Sequence, residues 1–158
     1  MNKSWIAVLA AGLVSLAAVA EQQSDIVLDN VWVRALPPTQ TNTAAYLTIS
    51  NRGEQAITVT AASTSLAGTV EIHTTREIDG YMRMEQLQDL SVPAGQSVQL
   101  APGGTHLMLM ELATMPAPGE TVRLCLELAT GDAICTEADV RKSAVGQQTH
   151  DHHKHHQK

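Results

Sequence analysis

The spacing of turn-forming residues is the feature that most restricts how this chain can fold. Between residues 25 and 140, short runs in which apolar and polar residues alternate are separated by Pro, Gly and Asn residues. The runs recur at about the 8–12-residue interval typical of β-sandwiches and barrels, and no segment repeats its apolar residues with a helical period. The pattern predicts an all-β fold. The predicted strands cover residues 26–33, 44–50, 56–62, 70–74, 81–87, 97–101, 106–112, 122–128 and 133–138.

The first twenty residues have the pattern of a secretory signal peptide. Lys3 is followed by a mostly apolar run at 5–17 and by the cleavage pattern Ala18-Val19-Ala20. This run is shorter than the ~20 residues of a transmembrane helix, and no Cys follows the cleavage point to accept a lipid. We expect a signal peptide at 1–20, one folded domain at 21–140 and a tail at 141–158, with no membrane insertion after cleavage. An uncleaved anchor is the alternative, and a bacterial periplasm is the expected location.

Composition limits the partners of the protein. The formal net charge is −6 at pH 7, which argues against nucleic acids and anionic membrane surfaces and leaves cations or basic protein surfaces. The sequence contains no Phe, so the core must be built from Val, Leu, Ile, Ala and Met.

The tail is rich in histidine. It is too poor in apolar residues to offset the entropy of ordering, so we expect it to be disordered. Clustered imidazoles suit Cu(II) or Zn(II), which makes the tail a candidate second metal site. An inert tail or an expression tag is the alternative reading. The candidate ligands are His150, His152, His153, His155 and His156.

Cys125 and Cys135 are the only cysteines, and they flank the turn at Gly131-Asp132. A hairpin centred near Thr130 places them directly opposite each other, close enough for a disulfide after a small adjustment. An oxidising compartment favours that bond. Two free, partly buried thiols are the alternative.

The run His106-Leu107-Met108-Leu109-Met110 carries the clearest chemistry. Side chains alternate between the faces of a strand, so an imidazole and two thioethers share one face while the leucines take the core face. Imidazole and thioether are neutral ligands, and thioethers specifically favour Cu(I) over Zn(II).

A second pair of ligands of the same kind lies upstream. His73 shares a strand face with Glu71, and Met82 and Met84 share a face of the next predicted strand. Between them Asp79-Gly80 is a strong hairpin signal. A loop centred on residues 78–79 puts His73 opposite Met84, whereas one centred on 79–80 makes them diagonal neighbours; both registers keep them within about 5–8 Å. Together with His106 and Met108 they offer a His₂Met₂ site, although Met is also common core filler.

The spacing of these four residues, H-x10-M-x21-H-x-M, resembles the signature of the periplasmic copper chaperones of the PCu(A)C type. Similar runs include Val70-Glu71-Ile72-His73 and Ala101-Pro102-Gly103-Gly104-Thr105, and the likeness covers residues 25–140. Many members have Met directly after the first His, where this chain has Thr74. The cysteine pair is not part of the signature.

The resemblance implies a cupredoxin-like β-sandwich or barrel that binds Cu(I) through His73, Met84, His106 and Met108. It also implies delivery of copper to the copper-centre subunit of cytochrome c oxidase, alongside a thioredoxin-like copper or redox partner. The protein is then a monomeric binding protein and not an enzyme.

Three other functions remain open at this point. A periplasmic copper or zinc buffer or resistance protein would rely on the tail and have no oxidase partner. A blue-copper electron carrier would need a Cys thiolate beside two His, and both cysteines lie on a separate predicted hairpin. A structural adhesion module would bind no copper.

Overall fold

The computed structural model of the chain describes residues 25–144. This range contains ten strands and no helix, which confirms the all-β prediction, and it contains no helix long and apolar enough to cross a membrane. The predicted signal peptide and the tail histidines lie outside the described residues. The strands are β1 (Ile26–Arg34), β2 (Thr43–Asn51), β3 (Ile57–Ser63), β4 (Thr69–Ile78), β5 (Tyr81–Leu87), β6 (Leu90–Val92), β7 (Ser97–Leu100), β8 (His106–Met110), β9 (Thr121–Leu128) and β10 (Ala133–Arg141).

All ten strands belong to one hydrogen-bonded sheet. Its order is β5-β4-β8-β2-β1-β10-β9-β3-β6, and β7 pairs with the second half of β2 beyond the segment that pairs with β8. Only β1 and β10 run parallel; the other pairs are antiparallel. The sheet closes around a single core, to which nearly every strand contributes.

The core is aliphatic, as the absence of Phe predicts. Alternate residues of each strand point into it, among them Val33, Leu47, Leu107, Leu109 and Leu124, all almost completely buried. The residues between them form the opposite surface of the sheet, which we call the outer face. On β8 this alternation leaves His106, Met108 and Met110 on the outer face.

Most strand boundaries differ from the predicted ones by a single residue, and the larger differences are at β4, β6, β8 and β10. β4 continues through Ile78, four residues beyond its predicted end, because it pairs with β5 up to the hairpin turn. The three-residue β6, paired with β3, is too short to show an alternating pattern and was not predicted. β8 ends at Met110 because Glu111 has a left-handed φ of 59°, which interrupts the strand. β10 continues through Arg141, one residue into the predicted tail, because that residue pairs with Arg34 of β1.

The two cysteines lie where the hairpin register predicts. Cys125 of β9 is the direct partner of Cys135 of β10, and the two sulfurs form a disulfide. Because these are the only cysteines of the sequence, no thiolate is left in the described residues to bind a metal.

The inward orientation of the leucines of β8 can be tested without changing a residue on the outer face. Leu107→Ala is expected to lower the free energy of unfolding by about 2–5 kcal/mol, because it leaves a cavity beneath the strand. Chemical denaturation measures the loss, and Gln99→Ala on an exposed position of β7 is the matched control. Equal stabilities of the two variants would contradict the assigned orientation of β8.

Candidate metal centre

Two histidines meet on the outer face where β4 and β8 pair. His73 and His106 are direct register partners, and their ring centroids are 6.0 Å apart. Glu71 and Met108 form the next outward-facing pair of the same two strands. Chain segments more than thirty residues apart thus bring two imidazoles and a thioether together, because the leucines on the other side of β8 must face the core.

His106 is held in a defined orientation. Its ring is 5% exposed, and its Nδ1 lies 3.0 Å from the carbonyl oxygen of Gly104. A carbonyl can only accept, so Nδ1 carries the proton and donates it. The other nitrogen, Nε2, is then the one with a free lone pair. A backbone carbonyl that fixes the tautomer in this way is a common support for a metal-binding histidine.

His73 has the complementary arrangement. Its Nε2 lies 2.7 Å from a carboxylate oxygen of Glu71, to which it donates. Its Nδ1 is buried and has no hydrogen-bond partner among the described residues. A buried, unpartnered nitrogen is costly, and coordination of a cation would relieve that cost. Each histidine therefore has one nitrogen anchored and one available.

The β4–β5 hairpin supplies the second thioether. Asp79 and Gly80 both have positive φ (53° and 79°), the backbone of a two-residue type I′ turn. This turn selects the second of the two predicted registers, in which Met84 lies opposite Thr75 and diagonal to His73 on the same face. Met84 is 55% exposed because β5 forms the edge of the sheet.

Three of the four predicted ligands line one open cavity of about 470 Å³. They are Met84, His106 and Met108, together with Arg34, Tyr46 and Thr75. His73 does not line the cavity; it lies beside it, bound to Glu71. Met82 and Met110 are the other methionines on these strand faces. Each lies one outward-facing residue pair farther from the two histidines, Met82 opposite Glu77 and Met110 opposite Thr69.

Thr74, at the position where many proteins of the PCu(A)C type have Met, has a buried side chain. It points away from His73, toward the inner side of β4, where its hydroxyl lies 3.1 Å from that of Thr105. A methionine on this backbone would pack inward and would not face the candidate site.

Two features of the site were not predicted from the sequence. The sequence predicts that Glu71 shares a strand face with His73 but does not predict the hydrogen bond between them, although their i, i+2 spacing allows the contact. Arg34 and Tyr46 come from distant strands and carry no local signal. Within residues 25–144 no group of three or more His, Cys, Asp or Glu residues could hold a metal, so a metal here needs the methionines.

The sequence matches a known protein family. The family model for LpqE-like lipoproteins matches residues 26–140. The chain belongs to the LpqE-like family. A curated relative of this LpqE-like protein, "Putative lipoprotein Lxx21020" of Leifsonia xyli subsp. xyli, is 30% identical over 112 residues, which are 70% of this chain and 66% of that protein.

Solved structures similar to this LpqE-like protein include two that contain copper. Cu(I)-DR1885 of Deinococcus radiodurans is 34% identical, with a TM-score of 0.63, over 79% of this chain and 83% of that chain. The copper-bound PCuAC domain of PmoF2 is 19% identical, with a TM-score of 0.62, over 74% of this chain and 92% of that chain, and shows the fold alone. These likenesses confirm the predicted cupredoxin-like fold and the resemblance to the PCu(A)C type.

The electrostatics of the cavity wall can be tested through Tyr46. Burial raises the pKa of its phenol, and the nearby Arg34 guanidinium opposes that rise. Arg34→Gln is therefore expected to raise the pKa of Tyr46 further, because it removes the charge that stabilises the phenolate. Absorbance titration in a Tyr81→Phe background reports Tyr46 alone, and Arg123→Gln is the control. A fall in the pKa would mean that Arg34 acts mainly by shielding the ring from water.

Proposed function

We propose that this LpqE-like protein is an extracytoplasmic copper chaperone that binds Cu(I) through His73, Met84, His106 and Met108. The observation that carries the proposal is the direct pairing of two histidines, each with one anchored and one available nitrogen, beside two thioethers on the same face. The similarity to Cu(I)-bound DR1885 over most of the domain supports the choice of metal.

The ligand types favour Cu(I) over other ions. Both cysteines are in a disulfide, and the described residues offer no carboxylate–imidazole cluster of the kind that Zn(II) prefers. Two imidazoles and two thioethers suit a soft d¹⁰ ion. In this site the carboxylate of Glu71 serves to orient His73.

The site suits transfer of the ion better than catalysis. His106 is buried and held by the backbone, whereas Met84 is exposed on an edge hairpin. A partner rich in thiolates can displace the exposed thioether first and then take the ion. The proposed acceptor is the copper-centre subunit of cytochrome c oxidase, with a thioredoxin-like protein as a second partner.

An extracytoplasmic location fits both the sequence and the family. The signal-peptide pattern at 1–20 and the lipoproteins of the LpqE-like family point the same way, and a periplasm is the proposed compartment. The tail histidines form the proposed second site, with a preference for Cu(II) or Zn(II).

The ligand assignment is tested by Cu(I) competition titration against a chromogenic chelator. Met84→Leu, His73→Ala, His106→Ala and Met108→Leu are each expected to weaken Cu(I) binding by at least about tenfold, because each removes one of four ligands. Met82→Leu is the matched control: it changes the same residue type on the same strand face, one pair farther from His73. Wild-type affinity in all four variants would refute the site.

Transfer of Cu(I) to an acceptor protein distinguishes a chaperone from a metal buffer. The wild-type protein loaded with Cu(I) is expected to pass it to an apo copper-centre domain of cytochrome c oxidase, and deletion of residues 147–158 is expected to leave that transfer intact. Visible spectra of the acceptor domain, recorded after it is separated and oxidised with ferricyanide, measure the copper transferred. If transfer and affinity are lost with the tail and retained by the tail peptide, the protein is a buffer or resistance protein.

A further inference from the structure

Two aromatic residues on the outer face are buried although the core lies on the other side of the sheet. Trp32 and Tyr46 are only 4% and 5% exposed, yet neither belongs to the core cluster, and their rings stack at 4.5 Å. Their strand neighbours Val33 and Ala45 point into the core. Something on the outer face must therefore cover the two rings.

Two arginines are part of this cover. The guanidinium carbon of Arg141 lies 5.0 Å from the ring centroid of Trp32, and that of Arg34 lies 5.9 Å from Trp32 and 5.3 Å from Tyr46. Arg34 and Arg141 are direct register partners of the parallel strands β1 and β10. Two positive charges thus stand side by side, an arrangement that is unfavourable unless an anion joins them.

Neither arginine has an acidic partner in the described part of the chain. The ion pairs found there are His73–Glu71 and Arg76–Glu85. The Nε atoms of both arginines are buried without a hydrogen-bond partner. Asp139, the nearest carboxylate in the register, pairs with Trp32 across the strands and forms no ion pair with either guanidinium.

The cavities beside the pair have no acidic lining, although Asp139 lies exposed two residues before Arg141 on the same strand face. Arg34 lines the cavity that also contains Met84, His106 and Met108, and Arg141 lines, together with Trp32, a second cavity of about 270 Å³. No Asp or Glu lines either cavity. In a chain with a net charge of −6 this is a local positive surface.

We propose that Arg34 and Arg141 form a carboxylate-binding site that receives an acidic side chain of the copper-acceptor protein. The proposal rests on the proposed function, because a protein that takes the ion must cover the cavity at Met84 and so meet Arg34. Guanidinium groups stacked on aromatic rings are weakly hydrated and preorganised for a carboxylate, whose two oxygens match their paired N–H donors. An acidic residue bound there would orient the acceptor over the copper ligands.

The first test uses a carboxylate probe and needs no acceptor. Full-length protein labelled with ¹⁵N is titrated with a hexaglutamate peptide while the Nε–H signals of Arg34 and Arg141 are followed by NMR. We expect saturable shifts of both signals that weaken with added salt and are absent with hexaglutamine. No shift, or equal shifts with hexaglutamine, would overturn the proposal. Binding that appears only after residues 147–158 are removed would also overturn it, because the occupant would then be the chain's own tail.

The second test measures Cu(I) transfer to the apo copper-centre domain. Arg34→Gln/Arg141→Gln, loaded with Cu(I) to the same level as the wild type, is expected to transfer it about tenfold more slowly, since charge at a docking surface acts mainly on association. The matched control, Arg52→Gln/Arg123→Gln, removes the same charge from exposed positions elsewhere. Equal rates in the two double variants would overturn the proposal.

Two further arms keep the outcomes distinct. Arg34→Lys/Arg141→Lys keeps the charge but loses the planar guanidinium, and we expect it to bind hexaglutamate more weakly than wild type and more strongly than the Gln variant. If chemical denaturation shows that the Gln variant is not folded, the Lys variant replaces it in both tests. If the wild-type protein binds hexaglutamate but transfers no copper to the oxidase domain, the proposed acceptor is wrong. The carboxylate-binding site would still be supported.

Discussion

The structure depends on the burial of alternate leucines in β8. With Leu107 and Leu109 almost fully enclosed, a slip of one residue would send both into water and bring His106 and Met108 into the core. The cost of that slip fixes the register of β8 against both neighbours, β4 and β2. The proposed ligands on β8 are therefore placed by apolar packing on the far side of the strand, and they need no contribution of their own to folding.

The same outer face carries two groups of polar side chains with different surroundings. At β4 and β8, one nitrogen of each histidine is anchored by an acceptor and the other is left available. At β1 and β10, two arginines cover an aromatic pair and have no acidic partner. Tyr46 lies between the two regions, with His106 on one side and Arg34 on the other.

Much of this arrangement could be predicted from the sequence, and the limits have physical reasons. Alternation within β8 and β4 predicts which residues share a face, and Asp79-Gly80 predicts the hairpin, because both are local signals. The choice between two hairpin registers required the turn conformation itself. The Glu71–His73 contact depends on side-chain orientation, and the Arg34–Arg141 pair depends on a parallel pairing of the first and last strands that no local pattern encodes.

Exposure changes steadily across the proposed copper site, and this gradient bears on how an ion would leave. His106 is nearly enclosed, Met108 is partly buried, and Met84 on the sheet edge is more than half exposed. A ligand that reaches the ion from solvent meets the Met84 side first, because β8 and the core close the other side. The ligand easiest to replace is thus the one nearest the entrance, while the histidine held by the backbone keeps its position. A site graded in this way can hold an ion in a fixed place and still release it stepwise to a partner that docks over the open side.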